Sequence, residues 1–272
     1  MSPVRFPAVA SFQWTPKQLP NLITWLDAND KANRTLSGSN VTDWNDKSGS
    51  GNHVTQATAA RQPVLVTASK NGLDAFNFNW TTSGSSNRKF MQRASTYTNV
   101  TGSQLSVFVT AKPETTWDTF ARLLGFSVGA GNDFNSTSAF SALLRNSTNS
   151  VMYSYFNAVP TTDVTVTAGS WYTFGSIVNG TSHTFRLDGT STATTLGTTP
   201  SFNITTMTVG HNAGEAGVAD VAWNSLIGEI IVCNTALSTS NRDKVEGYLA
   251  WRWGLQGSLA SGHAYKNFPP TG

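Results

Sequence analysis

One cysteine, four glutamates and few charges of either sign set the first limits on this 272-residue chain. Cys233 has no partner within the chain, so no internal disulfide staples the fold, and its place in "LIGEIIVCN" reads as a buried, inert thiol. Asp, Glu, Lys and Arg together make 12% of the residues. That is too few for long solvated helices, whereas Ser, Thr, Asn and Gly are plentiful, as short strands with hydrogen-bonding turns require. The formal net charge is +3 and the basic residues are scattered. Without a basic stripe to track phosphates, nucleic-acid binding is not expected. No stretch approaches the roughly 18 apolar residues of a membrane span. The opening "MSPVRFPAVASFQW" holds one Arg and no continuous apolar core, which predicts neither an anchor nor a secretion leader.

What is present reads as strands. Residues 1–20 carry Pro3, Pro7, Pro16 and Pro20 and are expected to form an extended arm, not a helix. Residues 21–272 show no linker-like break and no internal repeat, so they are read as a single domain. "LITWLDA", "VTDWND", "QPVLV", "LDAFNFN", "QLSVFVTAKP", "FARLLGFSV", "AFSALLRN" and "SVMYSYFNA" are short apolar runs bounded by Gly, Pro, Asn or Ser. "WYTFGSIVNGTSHTFRLDGTSTATTL" adds three more, with Asn179-Gly180 and Asp188-Gly189 at the reversals of an antiparallel meander. With "ITTMTVG" and "SLIGEIIVCN", about a dozen strands result, at spacings that suit an all-β, two-sheet antiparallel sandwich.

One helix stands apart. After "NTAL", Ser238 or Ser240 supplies an N-cap, Val245, Tyr248 and Leu249 share a face, and Gly254 supplies the stop. Trp251 and Trp253 lie about 200° apart on the helical wheel, so both cannot face one core. One is expected to pack inward and the other to be covered by the "SGHAYKNFPP" tail, the N-terminal arm or a neighbouring subunit. Both are therefore interface candidates.

These pieces in this order carry a resemblance. "LPNLITWLDAND", "VTDWNDKSGSGNHVTQ", "NGLDAFNF", "FRLDGT" and "GEIIVCNTALSTSNRDKVEGYLAWRWGLQGSLASGHAYKNFPP" resemble the concanavalin A-like lectin/glucanase superfamily. Within it they resemble the laminin-G-like jelly-roll domains of phage or viral structural proteins and bacterial surface proteins. The resemblance implies a jelly roll closed by a C-terminal helix, and leaves function open among hydrolases, lectins and inert modules.

Glucanases of the superfamily carry Glu-x-Asp-x-x-Glu on one strand, because retaining hydrolysis needs two carboxyl groups close together. None of Glu114, Glu215, Glu229 and Glu246 has an Asp two residues on. Asp243 and Glu246, three apart on the helix, read as a solvated face. Gly-x-Ser-x-Gly is absent. His53, His183, His211 and His263 show no metal-ligand spacing, and His183 and His263 read as structural hydrogen-bonders. No catalytic residue, metal or cofactor is expected.

Binding needs aromatic faces and oxygen-rich loops. Trp80, Trp117 and Trp223 fall in loop-like surroundings, where internal packing and a glycan or partner platform stand equally open. Asn132 and Asp133 form a second oxygen cluster. Asp43, Asn45 and Asp46 form another, although Asp46 and Asn52 read better as turn braces. Trp25, Trp44 and Trp171 read as core. The residues and the resemblance together predict a non-catalytic virion surface component, such as a capsid decoration protein, head fibre or tail-fibre part. Its expected partners are virion proteins and itself as a homo-oligomer, with weak polysaccharide adsorption. The alternative is a lectin-like carbohydrate-binding module, extracellular or on a bacterial surface.

Overall fold

In a computed structural model, the described residues are 14–79, 88–93, 96–97, 100–114, 121–129, 138–146, 151–157, 159–160, 164–211 and 222–271. The architecture is the two-sheet antiparallel sandwich expected, with one α-helix. The first sheet runs Leu22–Asp27, Ser225–Cys233, Gln104–Pro113, Tyr172–Asn179, Ser182–Leu187 and Thr190–Thr195 in spatial order. The second runs Val54–Thr55, Met91–Arg93, Thr206–Val209, Ala121–Ser127, Phe140–Asn146 and Val151–Phe156. Leu73–Asn77, Val64–Lys70 and Asn40–Trp44 carry the hydrogen bonding round one edge from the first sheet to the second. The sequence reading found the longer strands and missed two- and three-residue strands such as Val54–Thr55, which are too short to show a period.

Between the sheets lies a core of Trp44, Phe76, Phe126, Phe140, Phe174, Trp223, Ile227 and Ile230 among others. A second apolar cluster lies outside the first sheet, under the helix. The strand Ser225–Cys233 serves both, and each of its nine residues is buried, which accounts for the near-continuous apolar run. A register shift between Ile227 and Glu229 turns two consecutive residues, Gly228 and Glu229, toward the helix. Gly228 is required there: a Cβ would lie 2.3 Å from the Trp253 ring.

The helix, Thr239–Arg252, begins where Ser238 accepts a hydrogen bond from Asn241 N–H at 3.4 Å. It ends in a Schellman turn, with Leu255 N–H donating to Ala250 O and Gly254 at φ +64°. Trp253 is fully buried and stacks on Trp171, with centroids 5.4 Å apart. Trp251 is half-buried and donates its indole N–H to Tyr265 O at 2.8 Å. The tail of this chain thus supplies the cover that the helical wheel demands. Gly247 makes room for it, since a Cβ there would meet Tyr265 Cβ at 2.5 Å.

Within the expected extended arm, Pro16–Gln18 form one 3-10 turn, because Pro16 at its first position presets φ and has no N–H to leave unpaired. Trp14 just before it packs edge-on to Tyr248 at 5.8 Å. Among the described residues no helix is long and apolar enough to cross a membrane.

Candidate functional site

The carboxylates come first, because they decide whether acid–base chemistry is available. Glu229 is fully buried. Its Oε1 accepts from Trp25 Nε1 at 2.7 Å and Tyr248 OH at 2.9 Å, and its Oε2 accepts from Trp253 Nε1 at 3.0 Å. Arg252 Nε lies 3.1 Å from Oε2 and its Nη2 reaches Asp27 at 2.8 Å, while Lys47 bridges Asp27 and Asp30. Burial and the neighbouring Asp27 raise the Glu229 pKa, and Arg252 opposes them. Burial and Glu229 likewise raise the Tyr248 hydroxyl. Every oxygen of Glu229 is held by a donor, so this acid locks two tryptophans and a tyrosine under the helix.

The second acidic cluster corrects the sequence reading. Glu246 is 1% exposed, not solvated. Arg186, from the strand Ser182–Leu187, donates to both of its oxygens and to Asp243 at 3.3 Å. His263 Nε2 lies 3.1 Å from Glu246 Oε2, and its Nδ1 accepts from Tyr265 N–H, so Nε2–H is the donor. Asp243, Glu246 and His263 bring ligand atoms within 4.8 Å of one another. The guanidinium of Arg186 already fills the cationic role among them. His263 is the structural hydrogen-bonder expected, as is His183, whose Nε2 meets Ser176 Oγ at 2.9 Å and whose pKa burial pushes down to about 3. Burial pushes the Cys233 thiol up to about 12, as its inert reading requires.

Of the binding candidates, Trp80, Trp117, Asn132 and Asp133 lie outside the described residues. Trp223 is fully buried in the core between the sheets, so of its two readings internal packing holds. Trp253 is fully buried and Trp251 is half-buried against the tail of the same chain. Asp46 accepts from Trp25 N–H, Ser48 N–H, Ser48 Oγ and Asn52 N–H at 2.7–3.0 Å, which saturates its carboxylate as a turn brace.

A pocket of roughly 350 Å³ lies on the outer face of the second sheet, lined by His53, Thr55, Gln56, Phe90, Gln92 and Arg93 together with Ala57 and Thr96. Val54 and Met91 point into the core, so Thr55 and Gln92 beside them point outward. Thr55, Gln92, Thr208 and Gly125 form one register row across four strands. Gln92 Nε2 donates to Thr208 Oγ1 at 3.1 Å, leaving its carbonyl oxygen as an acceptor. Gln56 fixes the floor by donating to Phe90 O at 3.1 Å and accepting from Thr58 N–H. Asp46 N–H donates to His53 Nδ1 at 2.9 Å, so the ring's remaining donor is Nε2–H. Arg61 sits over the Phe90 ring at 5.7 Å, and His211 lies 5.5 Å from it.

The sequence reading missed this site because Met91–Arg93 is only three residues long. Its one signal was the spacing of Phe90 and Gln92, which in a strand places both on the face opposite Met91. The volume falls within the roughly 300–1,000 Å³ of small-molecule sites. Planar amide and imidazole groups beside an aromatic ring can grip adjacent hydroxyls and an apolar face. Among the described residues no carboxylate lines the pocket, so they offer no pair of carboxyl groups for glycoside hydrolysis there. A second pocket of roughly 280 Å³ includes Ser238, Thr239 and Arg242 in its wall, but Ser238 is spent on the helix cap and Thr239 on Arg242.

No protein-family model and no curated protein matches the chain. Solved structures do. The binding domain of botulinum neurotoxin DC in complex with SialylT matches with TM-score 0.57 at 11% identity, over 86% of this chain and 52% of that one. Trypanosoma rangeli sialidase in complex with the inhibitor DANA matches with TM-score 0.52 at 13% identity, over 85% and 34%. Domain 4 of AbnA, a GH43 extracellular arabinanase from Geobacillus stearothermophilus, in complex with arabinotriose, matches with TM-score 0.50 at 13% identity, over 81% and 95%. The chain thus spans about a third to a half of the toxin and sialidase chains. At these identities the likeness establishes a shared β-sandwich fold.

Proposed function

We propose that the protein is a non-catalytic carbohydrate-binding module, acting outside the cell or at a cell surface, with the pocket beside His53, Gln92 and Arg93 as its sugar site. The observation that carries this is a contrast of placement. Polar planar side chains and an aromatic ring converge in an open pocket whose described lining holds no carboxylate, while Glu229 and Glu246 are sealed under the helix by Arg252 and Arg186. The neighbours support it. The toxin binding domain and the arabinanase domain were each solved with a ligand, SialylT in one and arabinotriose in the other. The reading placed second by the sequence is therefore preferred, and the virion-surface role has no counterpart among these neighbours.

A glycan array with the wild-type protein, followed by titration calorimetry, tests the proposal. Saturable binding of at least one saccharide is expected, weakened by Gln92→Ala. Silence across the array contradicts it, as does release of reducing sugar from a bound polymer.

A further inference from the structure

We infer that the strand Thr190–Thr195 is a self-association edge, pairing antiparallel with the same strand of a second copy of this chain. The inference goes beyond the carbohydrate-binding reading and does not depend on it. Thr190–Thr195 closes the first sheet. On one side it pairs with Ser182–Leu187 in unbroken register, from Ser182 opposite Thr195 to Leu187 opposite Thr190; on the other it meets no strand among the described residues. Thr190, Ser191, Ala193 and Thr195 are exposed. Such an edge presents a row of unpaired N–H and C=O groups that another strand can meet.

Other edges among the described strands are blunted. The opposite margin of the first sheet, Leu22–Asp27, is covered by its own chain: Lys47 N–H donates to Trp25 O at 2.8 Å, Asn52 Nδ2 donates to Ile23 O at 2.8 Å, and Trp25 N–H donates to Asp46 Oδ1. Val151–Phe156, at the margin of the second sheet, is capped by Val159–Pro160 and Val164–Thr165. Arg34–Ser37 is four residues long and its register shifts after Thr35. Val64–Lys70 is interrupted at Ala68, whose φ is +50°, and ends in a lysine. Short strands, bulges, lysines and covering loops are the usual defences of an edge, and Thr190–Thr195 carries none of them. No Asp, Glu, Lys or Arg occurs between Asp188 and Glu215.

A second copy is the partner that this edge fits. A two-fold axis normal to the sheet at Thr192 sets Thr190 opposite Thr194 and Ser191 opposite Ala193. Threonines then meet on one face, small side chains meet on the other, and no charge faces its like. An edge used in this way is consumed, so association stops at two. The pocket stays open. Its strands, Val54–Thr55 and Met91–Arg93, lie at the far end of the second sheet from Val151–Phe156, whose Ser154 bonds Ser176 two strands in from this edge.

Sedimentation velocity of the full chain across a concentration series tests the inference. A reversible monomer–dimer equilibrium is expected, weakened about tenfold or more by Ala193→Lys, which brings lysines of the two copies together. An equimolar mixture of Ala193→Lys and Ala193→Glu should recover the dimer, with thermal unfolding of each variant as the check on folding. Amide hydrogen exchange of the wild type needs no variant: protection at residues 190–195 should rise with protein concentration. A wild-type chain that stays monomeric, as it would if this edge served a strand of another protein, overturns the inference. So does a dimer whose protection at residues 190–195 is independent of concentration, or one that Ala193→Lys leaves intact.

Discussion

The helix-covered face of the first sheet and the pocket face of the second treat charge in opposite ways. Under the helix, Asp27, Glu229, Arg252, Arg186 and Glu246 are buried in opposed pairs, and tryptophan, tyrosine and histidine donors satisfy the remaining oxygens. At the pocket, among the described residues, Arg93 has no such partner and the lining holds no acid. The lesson is that buried acids in this fold are structural ties, while chemistry for a ligand lies where the ties are missing. Substitutions on the first face should cost stability, and those on the second should cost binding.

The largest effect is expected at Glu229. Replacing it with Ala leaves Arg252 and three side-chain donors without their shared acceptor, a loss of about 3–5 kcal/mol. Urea unfolding monitored by tryptophan fluorescence measures it, and a loss under about 1 kcal/mol would dissolve the contrast between the faces.

Next comes Asp188, in the hairpin turn beside the tail. Burial, with Glu246 adding to it, raises its pKa from 3.8 to about 6, while the Thr173 N–H bond opposes. The folded state thus favours the protonated acid. Its contribution is fully present below pH 3.8 and lost as pH rises through about 6. Asp188→Asn keeps an acceptor for Thr173 N–H and tolerates the φ of +47°. Relative to wild type it should gain up to about 3 kcal/mol between pH 4 and pH 8; a difference flat in pH would refute this.

Gly247→Ala should cost about 1–3 kcal/mol by pushing Tyr265 off the helix. The same variant should expose Trp251 to acrylamide quenching and leave the pocket's ligand affinity unchanged. Smallest on this scale is Arg93→Ala, expected within about 0.5 kcal/mol of wild type in stability. A larger loss would make Arg93 one more structural tie and remove the difference between the faces.

Much of the fold was legible because the signals were local. Asn179-Gly180 and Asp188-Gly189 marked the hairpins, Ser238 and Gly254 bounded the helix, and "SLIGEIIVCN" marked a strand with a buried thiol. The role of Glu229 was less accessible: an acid inside an apolar run implies partners, but Trp25 and Trp253 reach it only through a register shift at Gly228. The burial of Glu246 was missed because its partner, Arg186, lies 60 residues away. The pocket escaped for the same reason. Thr55, Gln92 and Thr208 meet only when three strands distant in sequence pair in register, and no local pattern records that.

The most direct measurement is amide chemical-shift mapping of an isotope-labelled chain titrated with its best-binding saccharide. The account predicts shifts centred on Thr55, Phe90, Gln92, Arg93 and Thr208, with Glu229, Tyr248 and the Trp253 indole unmoved. Shifts centred on the helix, or on Asn179, Ser182 and Arg242, would contradict it.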